Sequence, residues 1–477
     1  MFTRRIPRFY CVFQVRTGTI RRISYQTLRQ LHPSLRSIPI ACPSRAASGN
    51  AIPSDNDSPL PPSIFPTEGF KIIDSSTPVE EETLPFYRPE LFYPVRLGEV
   101  FQNRYQVVAK LGYGASSTVW LGHDLMYAPF CSRCAQFPTS LLTCKFVSEQ
   151  RYVALKIFVN RIPRNPELEV LQHLESIQSE HNGREFMRLL EASFQLQSLG
   201  GLHDVFVLRP LGLSLQALQR YQPNRVLYEN VATSTAQCAL IALNFLHEEA
   251  KVIYADLHSG NLLLGISNES LLAQYEQNEL EKPTPRKILA NRVIHVSQIS
   301  FNVGKVPHLC DFGHARICIN GQLQQGRAMP IQYRTPEMLL DMPWDYSVDL
   351  WALALTIWDM LEPEPLFKVY NHDSSLNEAF HLAHMVALLG PPPLDFLKRS
   401  ATSAKYWDDD GKWKGSVPIP SPTSLESRFT QFDGERKTIF LDFIRKLLAW
   451  DPQQRPSSGD AYMHPWLAEV RGEGDDS

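Results

Sequence analysis

The sequence of 477 residues is 43% hydrophobic and 10% aromatic, which is enough apolar material for a large core and excludes a wholly disordered chain. Its eight cysteines are too sparse for a secreted disulfide scaffold, and no apolar run approaches the roughly 20 residues that cross a bilayer. The net charge of −3 combines a basic N-terminus with an acidic main body, and an acidic body favours basic substrates by long-range steering.

The N-terminal part has a composition of its own. Residues 1–54 contain nine Arg and no Lys, Asp or Glu, which is typical of a mitochondrial transit peptide; a disordered basic tail is the alternative. Residues 55–92 are rich in Pro, Ser and small residues, and we predict a linker there because such a segment buries too little surface to offset its chain entropy. Ordered structure is expected to begin near Tyr93.

Three strands and a helix are predicted next. RYQVVAKLGYG and STVWLGHDL show the β-branched and aromatic enrichment of strands that meet at a glycine turn, and YVALKIFV predicts the third strand. Apolar residues at helical spacing in ELEVLQHLESI predict the helix. Residues 126–150 contain CSRC, but a zinc site there would lack a second ligand pair, so a surface insertion is favoured.

The sequence becomes helical after residue 212. The segments that indicate helices are VLYENVATSTAQCALIALNFLHEE, DYSVDLWALALTIWDMLE and TIFLDFIRKLLAW. We therefore predict an α+β protein with a small β-rich N-terminal lobe over residues 93–212 and a large helical C-terminal lobe over 213–470. A short tail, 471–477, follows.

Glycines and a lysine in the small lobe are candidates for phosphate binding. Gly112 and Gly114 stand in the turn between the first two strands, where absent side chains let backbone N–H groups approach a phosphate; a plain hairpin turn is the alternative. Lys156 lies on the third strand. The apolar spacing of the following helix favours Glu167 as the partner of the lysine, with Glu169 as the competitor.

Three polar residues in the large lobe are candidates for catalysis and metal binding. Asp256 and Asn261 in YADLHSGN have the spacing of a loop in which a carboxylate accepts a hydroxyl proton and an amide oxygen binds a metal ion. Asp311 in HLCDFGHAR follows an apolar strand and would be a second metal ligand. The order of these motifs along the chain makes coincidence a poor explanation.

Residues 100–468 resemble a eukaryotic protein kinase. YRTPE matches the Ala-Pro-Glu element of that family, and DLWALA and DPQQRP match two further elements of its helical base. The resemblance implies that Glu337 pairs with Arg455 and that Asp349 anchors the catalytic loop. It also implies an ATP-binding site that contains Leu111, Gly112, Gly114, Val119, Ala154, Lys156, Glu167, Leu208 and Leu211.

Within the protein kinases, the chain resembles the fungal SR-protein-kinase-like group. This resemblance rests on LGYGASSTVWL, HLAHMVALLGPPP and an insertion from Gly265 to about Val306. It implies a serine/threonine protein kinase that uses ATP and Mg²⁺, with Asp256 as the catalytic base and Asn261 and Asp311 as metal ligands. Expected partners are protein substrates, Arg/Ser-rich splicing factors among them, with no direct nucleic-acid binding and a monomeric state. The family implies cytoplasm or nucleus, whereas the Arg-rich N-terminus favours a mitochondrion.

Two other functions remain open. Small-alcohol kinases share the upper half of this site and often contain D-L-H-x-G-N, but they lack the RTPE, VDLW and DPQQRP elements. A pseudokinase scaffold is the non-enzyme alternative, because Ala255 stands where the family carries Arg, and His258 and Pro330 replace a Lys and its Thr partner. The polar residues for nucleotide and metal are all present, which favours an enzyme.

The segment from Asp311 to Arg334 contains no Ser or Thr. Protein kinases that need phosphorylation of this segment usually carry Arg before the catalytic Asp, to bind the phosphate, and this chain has Ala255 there. The two observations together predict an activation segment that is ordered without Ser/Thr phosphorylation.

Overall fold

A six-stranded antiparallel sheet and a mainly helical region form two lobes, which confirms the expected α+β bilobal fold. The computed structural model describes residues 60–126, 151–160, 164–298, 303–318, 321–370 and 376–468. The predictions of a basic leader over 1–54, of the CSRC insertion and of the tail over 471–477 lie outside the described residues.

The small lobe contains the sheet. Its strands are β1 (Val100–Phe101), β2 (Tyr105–Tyr113), β3 (Ser117–Asp124), β4 (Tyr152–Phe158), β5 (Leu190–Ser198) and β6 (Gly201–Leu208). Their spatial order is β1-β2-β3-β4-β6-β5, and all neighbours are antiparallel. Every residue of β4 is buried, as expected for a central strand with an unbroken apolar run. This strand carries Lys156.

Helix α1 (Pro166–Ser176) connects β4 to β5. Asn165 caps it, because its side-chain oxygen accepts the N–H of Glu167, and Pro166 occupies the first turn, where no N–H donor is needed. The buried face of the helix consists of Glu167, Val170, Leu171 and Leu174. The helical period thus directs Glu167 toward the sheet.

Helices make up most of the large lobe. They are α2 (Leu215–Arg220), α3 (Glu229–Asn244), α4 (Ser270–Glu281), α5 (Pro336–Leu339), α6 (Ser347–Leu361), α7 (Glu378–Leu389), α8 (Leu394–Leu397), α9 (Leu425–Arg428), α10 (Gly434–Leu447), α11 (Ser458–Tyr462) and α12 (Pro465–Ala468). Helix α6 is buried along almost its whole length and packs against α3 and α10. In the described part of the chain, no helix has the length and apolarity that a membrane span requires.

Short strand pairs frame the loops of the large lobe. Its strands are β7 (Val252–Ile253), β8 (Leu262–Ile266), β9 (Arg286–Ile288), β10 (Val293–His295), β11 (Val303–Leu309) and β12 (Arg316–Ile317). They pair as β7–β12, β8–β11 and β9–β10. The loop that contains Asp256 therefore runs between β7 and β8, and Asp311 follows β11. Both residues thus lie in segments that are flanked by hydrogen-bonded strands.

The insertion between β8 and β11 folds onto the small lobe. Its helix α4 contacts β2, and Leu272 of this helix lies in an apolar cluster with Phe65 and residues of β2 to β4. Glu276 accepts a hydrogen bond from the Tyr152 hydroxyl at 2.6 Å and from the Ser63 hydroxyl at 2.7 Å. One carboxylate thus joins the insertion, β4 and the chain N-terminal to β1.

Residues 60–92, whose composition led to the linker prediction for 55–92, contact both the sheet and the insertion. The Leu60 N–H donates to the Leu125 carbonyl at 2.8 Å. Glu81 forms an ion pair with Lys110, whose side chain is 0% exposed. Composition does not predict such contacts. The linker prediction counted apolar surface, whereas carboxylates and backbone groups make many of these contacts. Part of the predicted linker thus packs against residues of the small lobe.

Candidate active site

Lys156 and Glu167 form an ion pair on the inner side of the sheet. The Lys156 Nζ lies 2.7 Å from Glu167 Oε2 and 3.4 Å from Asp311 Oδ2. Burial alone would lower the pKa of Lys156, but the two carboxylates outweigh burial and raise it. The lysine is therefore a cation between the lobes. Glu169, the competing partner, pairs with the exposed Arg164 instead.

Asp311 adopts a backbone φ of 62°, a left-handed conformation that is uncommon for a residue with a side chain. Its Oδ1 accepts the Gly313 N–H at 3.2 Å, and the next residue, Phe312, donates its N–H to Glu167 Oε1 at 3.3 Å. Burial raises the pKa of Asp311, but Lys156 and the Gly313 N–H outweigh burial and lower it. Asp311 is therefore an ionised carboxylate beside the lysine.

Asp349 fixes the backbone that precedes Asp256. This fully buried carboxylate of α6 accepts the Ala255 N–H at 2.7 Å and the Tyr254 N–H at 2.9 Å. It also lies 2.9 Å from His247 Nε2. These three partners satisfy the buried charge, and they stabilise the left-handed conformation of Ala255, whose φ is 56°.

Asp256 and Asn261 contact each other across the loop between β7 and β8. The Asn261 amide donates to Asp256 Oδ2 at 2.8 Å and to the Asp256 backbone carbonyl at 3.0 Å. Burial raises the pKa of Asp256 to about 6, although His314 and the Asn261 hydrogen bond act in the opposite direction. A carboxylate with a pKa of this size is ionised at pH 7 and can accept a proton.

The residues assigned to the nucleotide pocket share one face of the sheet. Val119 is paired with Lys156 between β3 and β4, and Ala154 is paired with Leu208 between β4 and β6. Directly paired residues on neighbouring strands point to the same side, so these four side chains line one surface. Leu211 follows β6 and is 9% exposed.

The glycine turn joins β2 to β3. The Gly114 N–H donates to the Ser117 carbonyl at 2.8 Å and closes the turn. A Cβ atom built on Gly112 would meet no other atom within 4 Å, so the space beside the turn is open. Leu111, just before the turn, is partly buried and packs on the large apolar cluster that both lobes share.

Glu337 and Arg455 form a parallel ion pair, with Arg455 Nη1 2.7 Å from Glu337 Oε1 and Nη2 2.8 Å from Oε2. The side chains of Arg455 and Glu337 are 0% and 1% exposed, respectively, and the guanidinium lies 5.0 Å from the ring centroid of Trp351. This pair joins the end of the activation segment to the C-terminal helices.

The activation segment is described over residues 311–318 and 321–334. Gln324 exchanges two backbone hydrogen bonds with Trp344, of 2.8 and 2.9 Å, and Arg327 donates to Glu378 Oε2 at 3.0 Å. Strand β12 pairs with β7 at the start of the segment. Backbone hydrogen bonds and one carboxylate thus contact the described part of the activation segment.

Sequence reasoning missed His247 and Gly260. His247 lies in a π-helical turn at the end of α3, where it reaches Asp349; the only signal is its place just before the catalytic loop. Gly260 gives no sequence signal, because what distinguishes it is the closeness of the His258 ring. A Cβ atom on Gly260 would lie 2.7 Å from His258 Cε1.

A lysine–glutamate pair, an ionised aspartate beside it and a loop with Asp and Asn define a phosphotransferase of the bilobal kinase class. The protein kinase domain family matches residues 143–467, and the chain belongs to this family.

Its similarity to individual kinases covers most of the chain. A serine/threonine protein kinase of Aspergillus fumigatus is 36% identical, over 86% of this chain and 96% of the relative. The serine/threonine-protein kinase SRPK of Physarum polycephalum is 26% identical over 82% of this chain and 92% of its own length. The protein kinase dsk1 of Schizosaccharomyces pombe is 23% identical, over 82% and 85% respectively. The resemblance to SR-protein kinases is thereby confirmed.

Proposed function

We propose that the protein is an ATP-dependent serine/threonine protein kinase that transfers the γ-phosphoryl group of ATP to protein hydroxyls. The observation that carries this proposal is the meeting of polar groups from both lobes. Lys156 of the small lobe lies 3.4 Å from Asp311 of the large lobe, and Asn261 lies 2.8 Å from Asp256. No single sequence motif would by itself indicate a kinase.

Each group has a role that fits its position. Asp256 would accept the proton of the substrate hydroxyl, and Lys156, oriented by Glu167, would align phosphate oxygens. Asn261 and Asp311 offer oxygen atoms, which are the donors that Mg²⁺ prefers, and the Asn261 amide nitrogen already faces Asp256. Magnesium would neutralise negative charge on the phosphates.

Arg/Ser-rich proteins are the proposed substrate class, on the resemblance to SR-protein kinases. Two acidic side chains beside the activation segment already have partners. Glu378 is paired with Arg327, and Asp359 accepts the Tyr333 hydroxyl at 2.7 Å. Peptides with Arg-Ser, Lys-Ser and Ala-Ser repeats would measure how much the enzyme depends on arginine. Equal rates with all three would contradict this substrate class.

The pseudokinase scaffold is the second candidate, supported by Ala255, His258 and Pro330. The Lys156–Glu167 pair favours the enzyme, because it holds a cation where it could align phosphate oxygens. A MgATP-dependent thermal shift followed by phosphate transfer to an Arg-Ser peptide separates the two. We expect the Asp256→Ala variant to keep the thermal shift and to lose transfer. A wild-type protein without transfer would contradict the kinase function.

A further inference from the structure

Arg188 lies just before β5 and reaches the connecting segment between the two lobes, residues 208–211. Its Nε donates to the Arg209 carbonyl at 2.9 Å. Its backbone N–H donates to the Leu309 carbonyl, also at 2.9 Å, and Leu309 lies two residues before Asp311. One arginine thus joins the connecting segment to the strand that leads to a candidate metal ligand.

The guanidinium of Arg188 lies at the nucleotide pocket. The first and last residues of the connecting segment are assigned to that pocket, and the carbonyl that Arg188 contacts stands between them. Burial lowers the pKa of Arg188, whereas Cys310 and nearby carboxylates act in the opposite direction; the guanidinium still remains protonated. Its positive charge also opposes the protonation of Lys156. Arg188 is therefore a permanent cation within electrostatic range of the lysine that would align the phosphates.

Most hydrogen-bond donors of Arg188 have no acceptor. Its side chain is partly buried, and among the residues that the structure describes no carboxylate forms an ion pair with it and no group accepts a hydrogen bond from Nη1 or Nη2. A guanidinium carries five N–H donors and no acceptor, so four donors remain available. A desolvated donor without a partner costs free energy, which favours a ligand that places an acceptor here.

Position 6 of a purine base decides whether a nucleotide fits this donor. Adenine has an amino group there, which donates, whereas hypoxanthine and guanine have a carbonyl oxygen, which accepts. An adenine amino group would have to share the Arg209 carbonyl with Arg188, and the guanidinium cannot accept a hydrogen bond from it. A 6-oxo group would instead accept the Nη donors, as the O6 atom of guanine accepts arginine donors in DNA recognition.

Leu211 suits either kind of base. Pro210 has no backbone N–H, but Leu211 has both an N–H and a C=O, and neither group has a partner among the described residues. The N–H could donate to the bare N1 atom of adenine, and the C=O could accept the N1 proton of a 6-oxopurine. Leu211 therefore does not oppose a preference that Arg188 sets.

We propose that Arg188 recognises the 6-oxo group of a purine nucleotide, so that inosine or guanosine triphosphate is a phosphoryl donor at least as good as ATP. This proposal rests on the proposed kinase function and concerns the nucleotide at the same site. In the step, the substrate oxygen forms a bond to the γ-phosphorus and the bond from phosphorus to the nucleoside diphosphate breaks. The diphosphate leaves with the electron pair, and the hydroxyl proton goes to Asp256. The base takes no part in this balance.

ATP and inosine triphosphate (ITP) are the matched donors, because they differ only at position 6 and in the accompanying N1 proton. With an Arg-Ser peptide, kcat/KM of the wild-type protein for MgITP should equal or exceed that for MgATP. Arg188→Met keeps a long side chain without donors and should lower the ITP:ATP ratio of kcat/KM by about 10- to 10²-fold, the effect of one charge-assisted hydrogen bond. Arg164→Met removes a cation whose side chain is 84% exposed and should leave this ratio unchanged.

A binding measurement tests the same inference without phosphate transfer. In the Asp256→Ala background, MgITP should raise the unfolding temperature at least as much as the same concentration of MgATP does. Arg188→Met should reverse this order. The unfolding temperature without nucleotide shows whether Arg188→Met is folded, and the comparison of the two nucleotides with the native Arg188 needs no such variant.

The inference is overturned if ITP is a poorer donor than ATP by more than about tenfold in the wild-type protein, or if Arg188→Met leaves the ITP:ATP ratio unchanged. Either result leaves the kinase function intact, because ATP still supports transfer in the same assay. Absence of transfer from both nucleotides contradicts the kinase function, and the two thermal shifts then still decide the base preference. A protein that gives no thermal shift with either nucleotide would overturn the inference as well.

Discussion

Lys156 binds Glu167 at 2.7 Å, whereas Glu169, two residues further along the same helix, binds Arg164 at the surface. Glu167→Gln should therefore leave the buried ammonium without its main counter-charge and lower kcat/KM for ATP by about 10²-fold. Glu169→Gln removes the same charge from the same helix and should leave the rate unchanged. Phosphate transfer at varied ATP concentration measures both, and equal losses would contradict the assignment.

The buried pair of Glu337 and Arg455 predicts a large loss of stability when one partner is removed. Arg455→Met should destabilise the protein by about 3 to 5 kcal/mol, because it leaves the Glu337 carboxylate buried without a partner. Lys446→Met, at a surface pair with Asp442 whose side chains are both more than half exposed, should cost less than about 1 kcal/mol. Denaturant unfolding of the two variants measures the difference. Similar losses in both would show that burial of the first pair has no energetic effect.

Asp359 predicts a pH dependence of stability. Burial raises its pKa to about 6, although the Tyr333 hydroxyl acts against this, so the folded state binds the proton more tightly than the unfolded state does. The contribution of this group to stability therefore falls as the pH rises from about 4 to about 6, and it stays low above pH 6. Asp359→Asn abolishes this titration but keeps an oxygen that can accept the Tyr333 hydroxyl.

The stability of Asp359→Asn relative to wild type should accordingly be greater at pH 8 than at pH 5, by about 1 to 2 kcal/mol. Asp395→Asn, at a side chain that is 92% exposed, is the control for a general effect of charge. Unfolding curves at the two pH values measure both variants. A difference that does not depend on pH would contradict the raised pKa.

Activity should survive treatment with a Ser/Thr phosphatase. Residues 311–334 contain no Ser or Thr, and the backbone bonds between Gln324 and Trp344 contact the segment without a phosphate. Protein expressed in bacteria and protein treated with phosphatase should have the same kcat toward an Arg-Ser peptide. A large loss on treatment would show that a phosphorylated residue elsewhere orders the segment.

The contact between α4 and the small lobe predicts a local effect of Glu276. Glu276→Ala should remove the carboxylate that accepts hydrogen bonds from the hydroxyls of Tyr152 and Ser63, and it should increase hydrogen exchange in residues 270–298 and 60–66. Gln277→Ala, at an exposed position of the same helix, should have no such effect. Unchanged exchange in the first variant would mean that other contacts suffice to attach the insertion, such as the apolar contacts of Leu272 and the hydrogen bond from the Gln298 N–H to the Lys110 carbonyl.

Local sequence patterns were sufficient to predict the direction of a side chain where a single helix or strand determines it. The apolar period of α1 pointed to Glu167, and strand alternation on β4 pointed to the face that carries Lys156. The two-lobe fold followed from a strand-rich segment before a helical one. These predictions need only the periodicity of a single helix or strand and the order of such elements along the chain.

Long-range contacts that no family motif marks could not be predicted from the sequence. The Glu81–Lys110 pair and the contacts of Glu276 join segments that are far apart in the chain, and polar residues in a Pro-rich stretch give no sign of which partner they will meet. The close approach of the His258 ring to Gly260 could not be predicted for a similar reason. It depends on the position of one imidazole ring, and composition and period carry no information about such a distance.

The insertion has a mechanical consequence for turnover. Strand β8 leads from the loop that contains Asp256 into the insertion, and β11 leads from the insertion to Asp311. Helix α4 of the insertion contacts β2, the strand that ends in the glycine turn. Any hinge motion that widens the gap between the lobes for ADP to exit must either carry α4 along or detach it from the sheet. We therefore expect nucleotide release to depend on this contact, which lies outside the residues assigned to the nucleotide pocket.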